Sequence, residues 1–167
     1  MNTIEESFIN DATKELKCYV VVDCSHENGM YEKISKLKIL NTKSLFTGTP
    51  DENSYKSGPL LVEITKNDIK KLDTFNRMEQ EFPSIVWIWS QFRYEKIYQL
   101  LKNILYINLV DGNEALCRYY DPRCISYFVD FFIGKDEVKK DFLKIDYIAT
   151  FNGENDSYNT IKIKDRI

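Results

Sequence analysis

The run Cys18-Tyr-Val-Val-Val-Asp23 restricts the fold more than any other part of the chain. An unbroken apolar stretch of strand length cannot leave one face in water. It belongs to a strand covered on both faces, as in parallel sheets. Leu60-Leu-Val-Glu-Ile64 reads as another strand and Ile85-Val-Trp-Ile-Trp89 as a central one. Helical patterns occupy the sequence between them. Strands alternate with helices early and pair as hairpins late. The class is therefore α/β or α+β, a mixed β-sheet with helices packed on it.

Helices are expected at residues 3–17, where Thr3 and Glu6 match a capping box and Ile4, Phe8, Ala12 and Leu16 share a stripe. Others are expected from about Asn28 to Leu37, from a cap at Asn67 or Asp68 to Met78, and from Arg93 to Asn103. Two more are expected over Pro122–Phe132 and Lys135–Phe142. Short strands are expected at Ser44–Phe46, Leu105–Val110 and Ala115–Tyr120, the last two joined by the hairpin signal Asp111-Gly112-Asn113. A closing pair, Asp146–Phe151 and Tyr158–Ile163, flanks the turn-rich stretch Asn152–Ser157. No repeat and no Pro/Gly-rich linker divides the 167 residues, which read as one domain, 1–167.

Leu116-Cys-Arg-Tyr-Tyr-Asp-Pro-Arg123 reads as a strand running into a helix start. Asp121 is expected to cap the helix and Pro122 to occupy its first turn, where no N–H is needed. Arg118 and Arg123 flank the Tyr119-Tyr120 step and need carboxylate partners, Asp23 or Asp121, because an unpaired buried charge is costly. The other reading is that an arginine faces a protein partner.

With 23 Lys+Arg against 26 Asp+Glu, the net charge is −3, which argues against a whole-surface nucleic-acid binder. Lys135, Lys139, Lys140 and Lys144 alternate with Asp136, Glu137 and Asp141, as on a solvated helix face. The opening Met-Asn-Thr-Ile-Glu-Glu has neither a basic start nor an apolar stretch, so a signal peptide is not expected. No window approaches the roughly 20 apolar residues that span a bilayer. Cys18, Cys24, Cys117 and Cys124 lack metal-ligand spacing, and reduced thiols in a cytoplasmic protein are expected.

Aromatic residues make up 14% of the chain, more than a small core usually absorbs, and exposed rings favour protein contacts. Trp87, Trp89 and Ile85 share one face of their strand, with Val86, Ile88 and Ser90 on the other. Trp87 is assigned to the core, and Trp89, Phe92 and Tyr94 are candidates for a partner groove where the strand ends in Ser90-Gln91. Asp23-Cys24-Ser25-His26 is the one cluster that tempts a catalytic reading, with Cys24 as nucleophile and His26 as base. No third group orients the imidazole, and an inert loop is the preferred reading. Metal ligands, cofactors and phosphate loops are not expected.

Taken in order, these segments resemble the adaptor-chaperone family of bacterial type VI secretion systems. The matching pieces are Tyr19-Val-Val-Val-Asp23, Leu45-Phe-Thr-Gly48, Pro59-Leu-Leu-Val62, Trp87-Ile-Trp-Ser90, and the stretch from Leu100 to Val129 that contains Tyr120-Asp-Pro-Arg123. The likeness spans about residues 19–132. Cys24 stands where that family tends to have glycine, and many relatives carry a further C-terminal lobe, so a short form is implied. The resemblance implies a cytoplasmic adaptor, not an enzyme, that binds the N-terminal region of a toxic effector and delivers it to the secretion spike protein. Arg118 and Arg123 join the partner-binding candidates, and Asp23, Tyr120, Asp121 and Pro122 form the structural motif. An immunity protein that neutralises a toxin is the alternative, and a Cys24/His26 enzyme the third.

Overall fold

The computed structural model of the protein describes residues 16–166. The helix expected over 3–17 falls outside these residues except for Leu16 and Lys17, and Lys17 opens the first strand. Six strands form one sheet: β1 (Lys17–Asp23), β2 (Thr42–Ser44), β3 (Pro59–Ile64), β4 (Ile85–Ser90), β7 (Ile145–Asn152) and β8 (Ser157–Lys162). Their order is β2-β3-β1-β4-β7-β8, and each neighbouring pair is antiparallel. A separate hairpin pairs β5 (Tyr106–Asn108) with β6 (Glu114–Leu116). The helices are α1 (Met30–Lys36), α2 (Leu72–Glu81), α3 (Tyr94–Asn103), α4 (Ile125–Ile133) and α5 (Asp136–Phe142). The fold is α+β, as the sequence implies.

The apolar run of β1 is covered on both faces, here within antiparallel ladders rather than a parallel sheet. Val20 and Val22 point to a layer made by Met30 and Ile34 of α1 and Leu72, Phe75 and Met78 of α2. Tyr19 and Val21 point to a layer made by Ile97, Tyr98 and Leu101 of α3, Val129 and Phe132 of α4, and Phe142 of α5. Helices on both faces account for the loss of the alternation that antiparallel strands usually show. Two core clusters result, one on each side of the sheet.

Several element ends differ from the sequence reading. The cap expected at Asn67 or Asp68 is Thr65, whose hydroxyl donates to Asp68 at 2.6 Å, and a 3₁₀ turn over Lys66–Lys71 precedes α2. β2 ends at Ser44, and Leu45 and Phe46 lie buried in the following turn. That turn fixes the end of the loop beyond it, because a Cβ at Gly58 would collide with the Phe46 ring. In the β5–β6 hairpin, Gly112 takes a φ of 82°, which favours glycine, and its N–H donates to Leu109 O at 3.0 Å.

Candidate functional site

β1 ends in Asp23, whose side chain is 1% exposed. A carboxylate at that depth must be answered by donors, since an unpaired buried charge is costly. Three arrive. Ser25 donates its N–H to Oδ1 at 3.0 Å and its hydroxyl to the same oxygen at 2.7 Å. Arg118 donates from Nη2 to Oδ2 at 2.7 Å. Arg118 comes from the segment after β6, so the pair joins the end of β1 to a segment 95 residues away. Its guanidinium lies 5.8 Å from the centre of the Tyr120 ring, and the Asp23 hydrogen bond holds it firmly protonated. The neighbouring Tyr119 is buried and donates its hydroxyl to Leu101 O at 2.7 Å, fixing the same segment to α3.

Asp121 does not cap α4. That helix begins at Ile125, its N-cap position is Cys124, and no side chain caps it. Asp121 instead opens a turn: Cys124 N–H donates to Asp121 O at 3.0 Å, with Pro122 next in line. Aspartate followed by proline is the preferred start of such a turn, because proline presets φ and aspartate accepts from the backbone two residues on. The Asp121 carboxylate accepts the Arg123 N–H at 3.0 Å, and also Arg123 Nε at 2.9 Å and Nη2 at 2.7 Å. These bonds from Arg123 hold the Asp121 carboxyl below the usual carboxylate range.

Burial, reinforced by the charge of Asp23, pushes the Cys24 thiol up to about 12. Its Sγ lies 3.8 Å from Val22 O. A thiol kept protonated is a poor nucleophile. Cys24 also avoids positive φ, which among non-glycine residues described here occurs only at Lys38 and Asp156, so this turn needs no glycine. His26 Nε2 lies 3.7 Å from Asp23 Oδ2, too far for a hydrogen bond, and the ring stacks on Phe82 with centroids 6.4 Å apart. Among the described residues, no group of three His, Cys, Asp or Glu side chains could hold a metal ion.

The aromatic groove expected beside Ser90 is not open. Trp89 is buried against Trp87, with ring centroids 6.5 Å apart, and pairs across the sheet with Tyr147 of β7. The sequence shows nothing covering this strand end, because β7 lies more than 50 residues further on. Tyr94 is buried too: it packs against Tyr19 and Tyr98 and donates its hydroxyl to Leu61 O at 3.3 Å. Phe92 is half-buried, with Lys96 Nζ 5.5 Å from its ring centre. Arg118 and Arg123 keep 46% and 61% of their side chains exposed while pairing with Asp23 and Asp121.

Two features escape the sequence reading. Tyr127 and Phe131, four apart on α4, face outward at 78% and 39% exposure. The helix reads Ile-Ser-Tyr-Phe-Val-Asp-Phe-Phe-Ile, so apolar residues occupy nearly every position and periodicity cannot separate the faces. The second feature is Glu79 of α2, which is buried and accepts Trp87 Nε1–H at 2.8 Å and the Tyr158 hydroxyl. Desolvation raises its carboxyl to about 7. Its spacing from Leu72 and Phe75 places it on the buried stripe of α2, a signal that could have revealed it.

No helix among the described residues is long and apolar enough to cross a membrane. Comparison with curated proteins and with solved structures gave no match. A family model described as "Domain of unknown function (DUF4123)" matches residues 18–132, from β1 to the next-to-last residue of α4. That segment holds the Asp23–Arg118 pair, the Asp121 turn and the exposed rings of α4, and covers well over half of the sequence: the chain belongs to the DUF4123 family.

Proposed function

We propose that this protein is a cytoplasmic adaptor-chaperone of a bacterial type VI secretion system, which binds the N-terminal region of a toxic effector, shields it and helps load it onto the secretion spike. The observation that carries the reading is a contrast within the family segment. The Asp23–Arg118–Asp121–Arg123 joint spends its polar groups on its own chain, while Tyr127 and Phe131 turn their rings outward. Such a surface suits escort rather than chemistry. Exposed aromatic side chains add large contact area at low entropic cost. The ordered motifs from Tyr19 to Arg123 support the secretion role.

The test is co-purification of the full chain with a large toxin encoded beside it, cut into its N-terminal region and its toxic C-terminal domain. Retention of the N-terminal region, with loss of toxin export when the gene is deleted, is expected. Retention of the C-terminal domain alone, with protection from killing, would replace the proposal with an immunity role. The tip of the β5–β6 hairpin favours that second reading, since exposed Leu109 and Val110 stand beside Asp111 and Glu114, a shape suited to a basic cleft.

A further inference from the structure

We infer that the tip of the β5–β6 hairpin inserts into a pocket of a protein partner whose floor is apolar and whose rim carries Lys or Arg. The inference goes beyond the adaptor reading and does not depend on which region of a toxin the protein meets. The hairpin stands apart from the six-stranded sheet, and its root is fixed. Leu105 and Cys117 are buried, and Cys117 N–H donates to Leu105 O at 2.6 Å. The Tyr106 hydroxyl donates to Asp51 Oδ2 at 2.7 Å. Ile107 still packs against the core cluster, whereas Leu109, two residues on, is 43% exposed and Val110 wholly so.

The turn itself explains only part of this tip. Leu109 N–H donates to Asn113 O at 2.7 Å, and Gly112 closes the turn at positive φ. Asn113 donates its N–H to Asp111 Oδ1 at 3.1 Å and its side-chain amide to Oδ2 at 2.9 Å. These bonds hold the Asp111 carboxyl below the usual carboxylate range. Turn chemistry thus accounts for Asp111, Gly112 and Asn113. It does not call for the adjacent apolar pair Leu109-Val110, which the protein leaves in water at the end of a braced projection. Single exposed apolar residues are ordinary, but a pair held ready on a rigid turn enters a pocket at little entropic cost. The charges then choose the pocket. Between Lys102 and Arg118 the chain has no Lys or Arg, and its charged residues there are Asp111 and Glu114. Both are exposed, and neither joins an ion pair among the described residues. The flanking cations are engaged at the root: Lys102 Nζ donates to Thr47 O at 2.5 Å, and Arg118 Nη2 to Asp23 Oδ2 at 2.7 Å. An apolar tip with carboxylates alone beside it favours a cationic rim and is repelled by an anionic one.

The test titrates the full chain against the two regions of the toxin encoded beside it, the N-terminal region and the toxic C-terminal domain, by calorimetry at several salt concentrations. Leu109→Ser with Val110→Ser is expected to weaken binding about tenfold with the melting temperature held. Asp111→Asn with Glu114→Gln should weaken it several-fold at low salt and flatten its salt dependence, and this second variant decides the matter if the first fails to fold. Both effects on the N-terminal region support the tip together with the adaptor role. Both effects on the C-terminal domain alone keep the tip and remove the adaptor role. Tight binding that neither variant changes overturns the tip, and the adaptor role survives it if the N-terminal region is the one bound. No binding of either region overturns both. Binding to phosphatidylcholine vesicles that is lost in the Leu109→Ser, Val110→Ser variant would reassign the tip to a lipid surface and overturn the inference.

Discussion

Asp23 and Glu79 are both buried carboxylates that tie distant segments to the sheet, and the protein treats them in opposite ways. Asp23, at the end of β1, is answered by a guanidinium and two Ser25 donors. Glu79, under the opposite layer, is answered only by the indole of Trp87 and the phenol of Tyr158. Neutral donors compensate a buried charge less well than a cation does, so desolvation dominates and Glu79 titrates near pH 7. A charge fixed by a cation makes a latch. A carboxyl met by neutral dipoles makes a joint that depends on pH.

The largest expected effect tests the Glu79 side of this contrast. Its folded value of about 7 lies above the ordinary 4.5, so between those pH values the folded protein holds a proton that the unfolded chain has released. The stability it contributes is complete below about pH 4.5 and is lost as pH rises through 7, a change on the order of 3 kcal/mol. Denaturant midpoints of Glu79→Gln measured across that range should lack this decline; a variant that declines as steeply as wild type would assign the titration elsewhere. Next comes Arg118→Met, which strands Asp23 with its serine donors. With Arg118 half in water, the expected loss is about 2 kcal/mol, and the double variant with Asp23→Asn should lose less. Equal losses would mean that the cation does not serve the carboxylate.

Asp121→Ala removes the acceptor for the Arg123 N–H and should cost about 1 kcal/mol, read from the thermal midpoint. An unchanged midpoint would show that proline alone sets the turn. The smallest effect is expected at Tyr127→Ser with Phe131→Ser. Tyr127 faces water while Phe131 keeps part of its ring against Phe132, and stability should fall by less than about 1 kcal/mol by chemical denaturation.

The strand skeleton is legible because β1 and β4 hold unbroken apolar runs and β3 is apolar but for Glu63, and the Asp-Gly-Asn and Asn152–Ser157 turns mark both hairpins. The sequence also points to Asp23 or Asp121 as the carboxylate that Arg118 or Arg123 needs, without deciding which pairs with which. What it could not convey was which strand covers which. Trp89 reads as the last ring of a fading strand until β7 closes over it from far along the chain. Tyr94 is similar, because its burial depends on Tyr19 and Leu61 across the sheet. On α4 the failure was one of contrast: a helix apolar on all sides hides the fact that two of its rings face out. At Asp121 two local chemistries compete, since an Asp-Pro step serves a turn as readily as a helix cap.

The strands β7 and β8 lie beyond the residues that the family model matches, yet β7 pairs along β4 from Trp87 to Ser90. Trimming the protein to its matched segment would strip that cover and bare a ladder of unpaired amides beside two tryptophans. An uncapped hydrophobic border of this type recruits other chains edge to edge. A fragment ending near Phe132 should therefore emerge as aggregate rather than as a smaller working unit, because in the full chain β7 and β8 cover that border.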